Sequence, residues 1–191
     1  IIVFDPHSDV LRKMLSEYFI GCSFIEPHQV AIPTELKYNG IVCPDLGAKN
    51  RALDFAKYSG VGINNIIYGT KVRDSLTGKL SKFTASFPFD LDRNGRFLIV
   101  DDICDGGGTF LGLADEIKRQ SPNCTLDLWV SHGIFSKGFH ELEQRFNQII
   151  TTDSFPRKDQ PGEWCYSQLV RYRILWYHAA HFMKERLSGN T

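Results

Sequence analysis

The sequence has few cysteines, no excess charge of either sign and no long hydrophobic run, and each absence excludes a class of protein. Cys22, Cys43, Cys104, Cys124 and Cys165 are odd in number and never fall in a CxxC spacing. That speaks against a disulfide framework and a zinc site, and thiols in apolar runs behave as small hydrophobes. Such usage fits a reducing, cytoplasmic setting. Lysine plus arginine number 22 and aspartate plus glutamate 22, so no long-range field favours nucleic acid or an anionic membrane. No apolar stretch approaches the roughly 18 residues of a membrane span, and no basic, apolar leader opens the chain. Repeats and low-complexity segments are missing as well. What is there is 191 residues, 42% hydrophobic and 23% charged, enough for one large domain or two small ones with a real core.

Apolar runs alternate with helical patterns along most of this length. Residues 1–4, 40–43, 63–68, 97–100, 126–130 and 148–151 read as strands. Helices are expected over 10–19, with Ser8 or Asp9 as cap, over 48–57 and 110–117, in a short piece at 138–146, and over 174–187. The alternation predicts an α/β fold, a parallel sheet flanked by helices. Residues 69–94 break the pattern. They are polar, carry Lys and Arg, alternate around 79–87, and read as a hairpin or flap inserted between strands. Residues 153–163 read as a surface connection. The tail from 157 to 191 is rich in aromatics, including Trp164, Tyr166, Tyr172, Trp176, Tyr177 and Phe182. At helical spacing these are expected in a core or at a subunit interface.

The most informative segment is Arg96-Phe-Leu-Ile-Val-Asp101-Asp102-Ile-Cys-Asp105-Gly106-Gly107-Gly108-Thr109. A buried-type strand ends in two carboxylates, and a glycine turn then opens a helix. The glycines let backbone N–H groups face an anion at the helix N-terminus. The acids sit at the carboxyl end of the strand, where open α/β sheets bind ligands. Carboxylates beside a phosphate cradle suit sugar hydroxyls or Mg²⁺, so the segment predicts a site for a phosphorylated sugar. Helix capping by the acid pair is the plainer alternative.

This segment resembles the PRPP loop of type I phosphoribosyltransferases and of ribose-phosphate pyrophosphokinases, the PRPP synthetases (PRPP is 5-phosphoribosyl 1-diphosphate). Other segments resemble the synthetases in particular. Asp5-Pro6-His7-Ser8 is similar to their Asp-x-His-Ser-like element, and Cys43-Pro44-Asp45-Leu46-Gly47, with Arg51-Ala52 beyond it, to their Pro-Asp-x-Gly segment. Lys71-Val72-Arg73 resembles their Lys-x-Arg element, and Ser131-His132-Gly133-Ile134-Phe135-Ser136 and Thr152-Asp153-Ser154 match two further stretches. The motifs follow the family's order from residue 1 to about 156.

The resemblance implies a type I phosphoribosyltransferase-like domain over 1–156, with a flap and a divergent tail at 157–191. It implies a ribose-phosphate diphosphokinase that converts ATP and ribose 5-phosphate to PRPP and AMP, in an oligomer of identical chains. Asp101 and Asp102 would hold the ribose, and Asp105, Gly106, Gly107, Gly108 and Thr109 its 5-phosphate. Lys71, Arg73 and Asp105 would act in catalysis. His7, Lys71 and Arg73 would contact ATP, with Mg²⁺ as cofactor on His7 and Asp45. Taken alone, His7 reads more readily as a loop residue or cap and Lys71 and Arg73 as solvated charges, and Asp45 reads as well as a helix cap.

Two departures stand out. Gly106 occupies a place where the family's loop usually carries threonine, and the sequence matches essentially the second of the family's two domains. A phosphoribosyltransferase joining PRPP to a base, and a relative that binds PRPP or nucleotide without turnover, are the competing expectations.

Overall fold

The computed structural model describes residues 1–30, 36–73, 80–155 and 174–177, with residues 72–73, 80–81 and 174–177 described in backbone only. Its main sheet grows from three buried runs: β3 (Gly40–Cys43), β6 (Arg96–Cys104) and β7 (Thr125–Gly133). Strands covered on both faces read as continuous apolar runs, and 97–100 and 128–130 are buried throughout. Around them stand β4 (Ile66–Arg73), β5 (Leu80–Ser86), β8 (Gln148–Thr152) and β9 (Ile174–Tyr177). The seven-stranded order is β5-β4-β3-β6-β7-β8-β9. Every pairing is parallel except β4 with β5, the antiparallel hairpin expected as the flap.

Alternation along β6 assigns the two faces. Phe97 and Ile99 pack with Leu113 and Ile117 of α4 (Gly108–Gln120). Leu98 and Val100 pack with Ala52 and Phe55 of α3 (Lys49–Tyr58). On that second face Phe55 meets Trp129 at 4.8 Å between ring centroids. Each such fully buried side chain contributes roughly 1.5–3 kcal/mol of transfer free energy. The expected layering, a largely parallel sheet with helices on both faces, is therefore the observed one.

The N-terminal residues form a separate unit. β1 (Ile2–Phe4) and β2 (Ser23–Ile25) make a two-stranded parallel sheet. α1 (Asp9–Tyr18) joins them, capped by Ser8, whose hydroxyl accepts from the Leu11 N–H at 3.3 Å. A short α2 (Pro27–Val30) follows, with proline at its first position as its missing N–H allows. None of α1's residues is buried, and Val10, Met14 and Tyr18 form an exposed apolar stripe.

Two expectations need correcting. The strand expected over 63–68 begins only at Ile66, because Gly62, Asn64 and Asn65 fold into a turn closed by Asn65 N–H donating to the Gly62 carbonyl at 2.9 Å. The helix expected over 174–187 is a strand at its start: Ile174–Tyr177 lies parallel to β8. A run of β-branched and aromatic residues suits a buried sheet, and four residues are too few to show a period. Positions 178–187, and the aromatics Trp164, Tyr166, Tyr172 and Phe182, lie outside the described residues. The short helix near 138–146 reduces to α5 (His140–Glu143).

Candidate functional site

The carboxyl ends of β3, β4 and β6 and the β1–α1 turn carry the residues that the sequence singles out. β6 runs past the expected 97–100 to Cys104, so Asp101 and Asp102 adjoin inside its carboxyl-terminal half, with Asp102 N–H donating to Asp101 Oδ1 at 2.9 Å. His7 reaches across from the β1–α1 turn to place Nδ1 against Asp102 Oδ2. The pair is asymmetric in exposure: the His7 side chain is 79% accessible and that of Asp102 13%.

Electrostatics separates the two acids. Burial, and then the neighbouring carboxylates of Asp102 and Asp45, push the Asp101 carboxyl up to about 7. Burial also pushes Asp102 upward, but His7 and the Arg51 guanidinium outweigh it and hold Asp102 below its ordinary value. The Asp102 carboxylate in turn raises His7. One protonated and one ionised acid side by side can donate to and accept from adjacent hydroxyls.

Asp101 also carries a stability consequence. An acid whose folded pKa lies above its ordinary 3.8 binds its proton more tightly in the fold. Its contribution is full below that value and is lost as pH rises toward about 7. Resistance to urea is expected to decline across that interval on Asp101's account. Asp101→Asn should flatten the decline and exceed the parent in stability at about pH 8, by at least about 1.4 kcal/mol, the equivalent of a roughly tenfold change in proton affinity. Parallel pH profiles for the two proteins would refute this.

Asp45 performs the capping role that the sequence left open. Its Oδ1 accepts from Gly47 N–H at 3.0 Å and Ala48 N–H at 3.3 Å, while Oδ2 takes Lys71 Nζ at 3.0 Å. Lys71 is thereby held over the end of β3. The Arg73 backbone ends β4, and its side chain lies outside the described residues.

The glycine loop turns directly into α4. Gly107 is the N-cap of α4 with φ 74°, a left-handed conformation that favours glycine, and no side chain caps the helix. A Cβ there would also come within 3.3 Å of Leu142. Nothing lies within 4 Å of a Cβ built on Gly108, so the space over the first turn is open. Thr109 stands in that turn and Asp105 just before the loop.

The Ser131–Ser136 and Thr152–Ser154 segments support the same edge. Thr152 Oγ1 donates to the Ser131 carbonyl at 2.6 Å, and His132 Nδ1 lies 2.7 Å from Ser154 Oγ. Ser131 Oγ donates to Asp5 Oδ2, which also takes Arg51 Nη1 at 2.6 Å. Asp5 has a positive φ of 44° and is 4% exposed. It therefore ties β1, α3 and β7 together two residues before His7. The sequence showed Asp5 and Arg51 as parts of separate motifs and gave no sign of their pairing.

A cavity of about 490 Å³ opens between the β1–β2 unit and α3, with His7, Arg12, Asn50, Arg51 and Lys57 on its walls. The acid pair and glycine loop do not line it, and His7 connects the two places.

The described residues contain no cluster of three or more metal-ligating side chains. His7 and Asp45 each contact other groups rather than one another. A cation that keeps several waters and phosphate oxygens needs only one or two protein ligands, and a hard oxygen donor at the sheet edge fits Mg²⁺ on those terms. No described helix is long and apolar enough to cross a membrane.

No family model matches the sequence. It is 33% identical over 118 residues to a ribose-phosphate pyrophosphokinase of Pyrococcus abyssi, covering 61% of this chain and 38% of that protein. To the ribose-phosphate pyrophosphokinase of Mycoplasmopsis pulmonis it is 40% identical over 63 residues, covering 32% of this chain and 19% of that protein. The chain thus matches well under half the length of either curated relative. The crystal structure of phosphoribosylpyrophosphate synthetase from Mycobacterium smegmatis superposes with a TM-score of 0.70, covering 98% of this chain and 57% of that one at 15% identity. That likeness is one of fold. This chain is thus similar in sequence, over part of its length, to two proteins named ribose-phosphate pyrophosphokinase, and in fold to a phosphoribosylpyrophosphate synthetase.

Proposed function

We propose that the chain is a cytoplasmic ribose-phosphate diphosphokinase, making PRPP and AMP from ATP and ribose 5-phosphate. The observation that carries the reading is the His7–Asp102 contact. It joins the turn expected to face the nucleotide to the acid pair expected to face the sugar, a union that transfer of a base would not need. The names of the relatives support the same activity.

In this reading the glycine loop, from Asp105 to Thr109, binds the 5-phosphate chiefly through backbone N–H groups. Asp101 and Asp102 hold the ribose hydroxyls. The 1-hydroxyl oxygen bonds to the β-phosphorus of ATP as the α–β bridge breaks and AMP leaves with the bridging oxygen. Asp105 takes the hydroxyl proton in this reading. The cavity beside His7 is within the size range of ligand sites and receives the nucleoside end. Bound Mg²⁺ supplies positive charge against the triphosphate, with His7 and Asp45 as its holders.

Lys71 leaves the Asp45 carboxylate for the more highly charged diphosphate, and Arg73 follows it on the same strand. Stabilisation of charge as it develops on the transferred group is worth about 10²–10³ in rate per donor. The test is a reaction of the chain with Mg²⁺, ATP and ribose 5-phosphate, with AMP and PRPP quantified together. Equal amounts are expected, falling about 10²–10³-fold in Lys71→Ala. AMP without PRPP, or PRPP consumed on adding a base with none made in its absence, would overturn the reading.

A further inference from the structure

The loop has glycine at 106 for no reason of packing or backbone conformation. Gly106 is not among the positive-φ glycines. The three atoms nearest a Cβ built on it all belong to Lys137: Cε at 3.4 Å, Cδ at 3.5 Å and Cγ at 3.8 Å. The lysine stem therefore lies along the bare face of the loop, and a branched side chain at 106 would compete with it for that space.

Lys137 is brought there by main-chain bonds rather than by chance extension from a distant surface. The N–H groups of Ile134 and Phe135 both donate to the Cys104 carbonyl, at 2.9 and 3.0 Å, and Ser136 N–H donates to the Asp105 carbonyl at 3.1 Å. Phe135, buried and at a φ of 48°, reverses the chain, and Gly138 N–H closes the turn on the Phe135 carbonyl at 2.8 Å. The turn bearing Lys137 is thus stitched to the two residues that precede the glycines. The Lys137 side chain makes no hydrogen bond or ion pair with any described residue. Among the described residues its charge has no counter-ion, and it lies beside helix amides that no side chain caps and an open first turn.

We infer that Lys137 is a binding residue for the 5-phosphate of the sugar, an ammonium serving where a loop hydroxyl would otherwise serve. The inference rests on the sugar-phosphate reading of the loop and adds a prediction of its own. A cation donates a charge-assisted hydrogen bond to a phosphate dianion, and the affinity it confers is screened by salt.

The experiment is calorimetric titration of the full chain with ribose 5-phosphate in Mg²⁺, at low and high salt, without ATP. Lys137→Met keeps the stem and removes the charge. It should weaken binding about tenfold or more at low salt, as loss of a hydrogen bond to a charged group does, and reduce the salt dependence. Lys137→Arg should bind nearly as the parent does. Adding Gly106→Thr to Lys137→Met should recover part of the affinity with little salt dependence. Mg²⁺–ATP titrated alone should bind parent and Lys137→Met equally, which reads an intact fold and nucleotide side. Parent and Lys137→Met binding ribose 5-phosphate within about twofold of each other at both salts would overturn the inference alone. A parent that binds neither ribose 5-phosphate nor PRPP would overturn the reading of the loop and the inference with it.

Discussion

Arg51→Met is expected to destabilise the fold by about 3–5 kcal/mol, the cost of stranding a buried carboxylate whose partner has been removed. The Asp5 side chain is 2% accessible and that of Arg51 12%. Water therefore cannot replace the lost guanidinium around Asp5. The Ser131 hydroxyl remains, but a neutral donor does not offset a buried charge. The urea midpoint should fall with little change in slope. In Asp5→Asn/Arg51→Met the stranded charge is gone, so the double variant should recover a large share of the loss. Single and double variants that lose stability equally would show that Arg51 acts through packing of its stem instead. Since Asp5 sits two residues before His7, the same lesion should also loosen the His7–Asp102 contact.

Asp102→Asn should lower the rate of PRPP formation by at least about 10²–10³-fold while leaving thermal stability near the parent's. The amide fills the same space at the end of β6. It also relieves repulsion of Asp101, whose raised pKa owes part of its rise to the Asp102 charge. What the amide cannot do is hold a protonated histidine. The hydrogen bond and charge of Asp102 are the main causes that raise His7. In the variant, the His7 ring signals in a proton NMR titration should therefore move at lower pH than in the parent. An unchanged titration would mean that the two side chains do not meet in solution. Unchanged turnover would remove Asp102 from the ribose site.

Much of this arrangement is legible in the sequence. The run 97–100 could only be a buried strand, and the glycines that open α4 had to follow it closely; that the strand runs on through the acids to Cys104 is not legible, since carboxylates do not read as strand residues. β3 is legible for the same reason, as four residues of apolar character bounded by Asn39 and Pro44. The pairings between elements are not. Nothing in the local pattern of Asp5 or Arg51 shows that they meet, since contacts across a fold are fixed by topology rather than by sequence neighbours. Lys137 looks like any exposed lysine, and only the turn reversing at Phe135 brings it onto Gly106. At 174–177 the run is too short for its spacing to tell helix from strand, and the neighbouring β8 decides between them.

Gly112 and Phe83 set a further condition. A Cβ on Gly112 would lie 2.0 Å from Phe83 Cε2, so the main chain of α4 bears directly on the aromatic ring of β5. The helix that begins at the glycine loop is thus seated, through the Phe83 ring, on the hairpin that carries Lys71. If the two ends of one transfer reaction are held by these two elements, the interval between them is fixed by rigid contact. Drift in either element would have to be matched in the other, and position 112 and the ring at 83 are expected to change only as a pair.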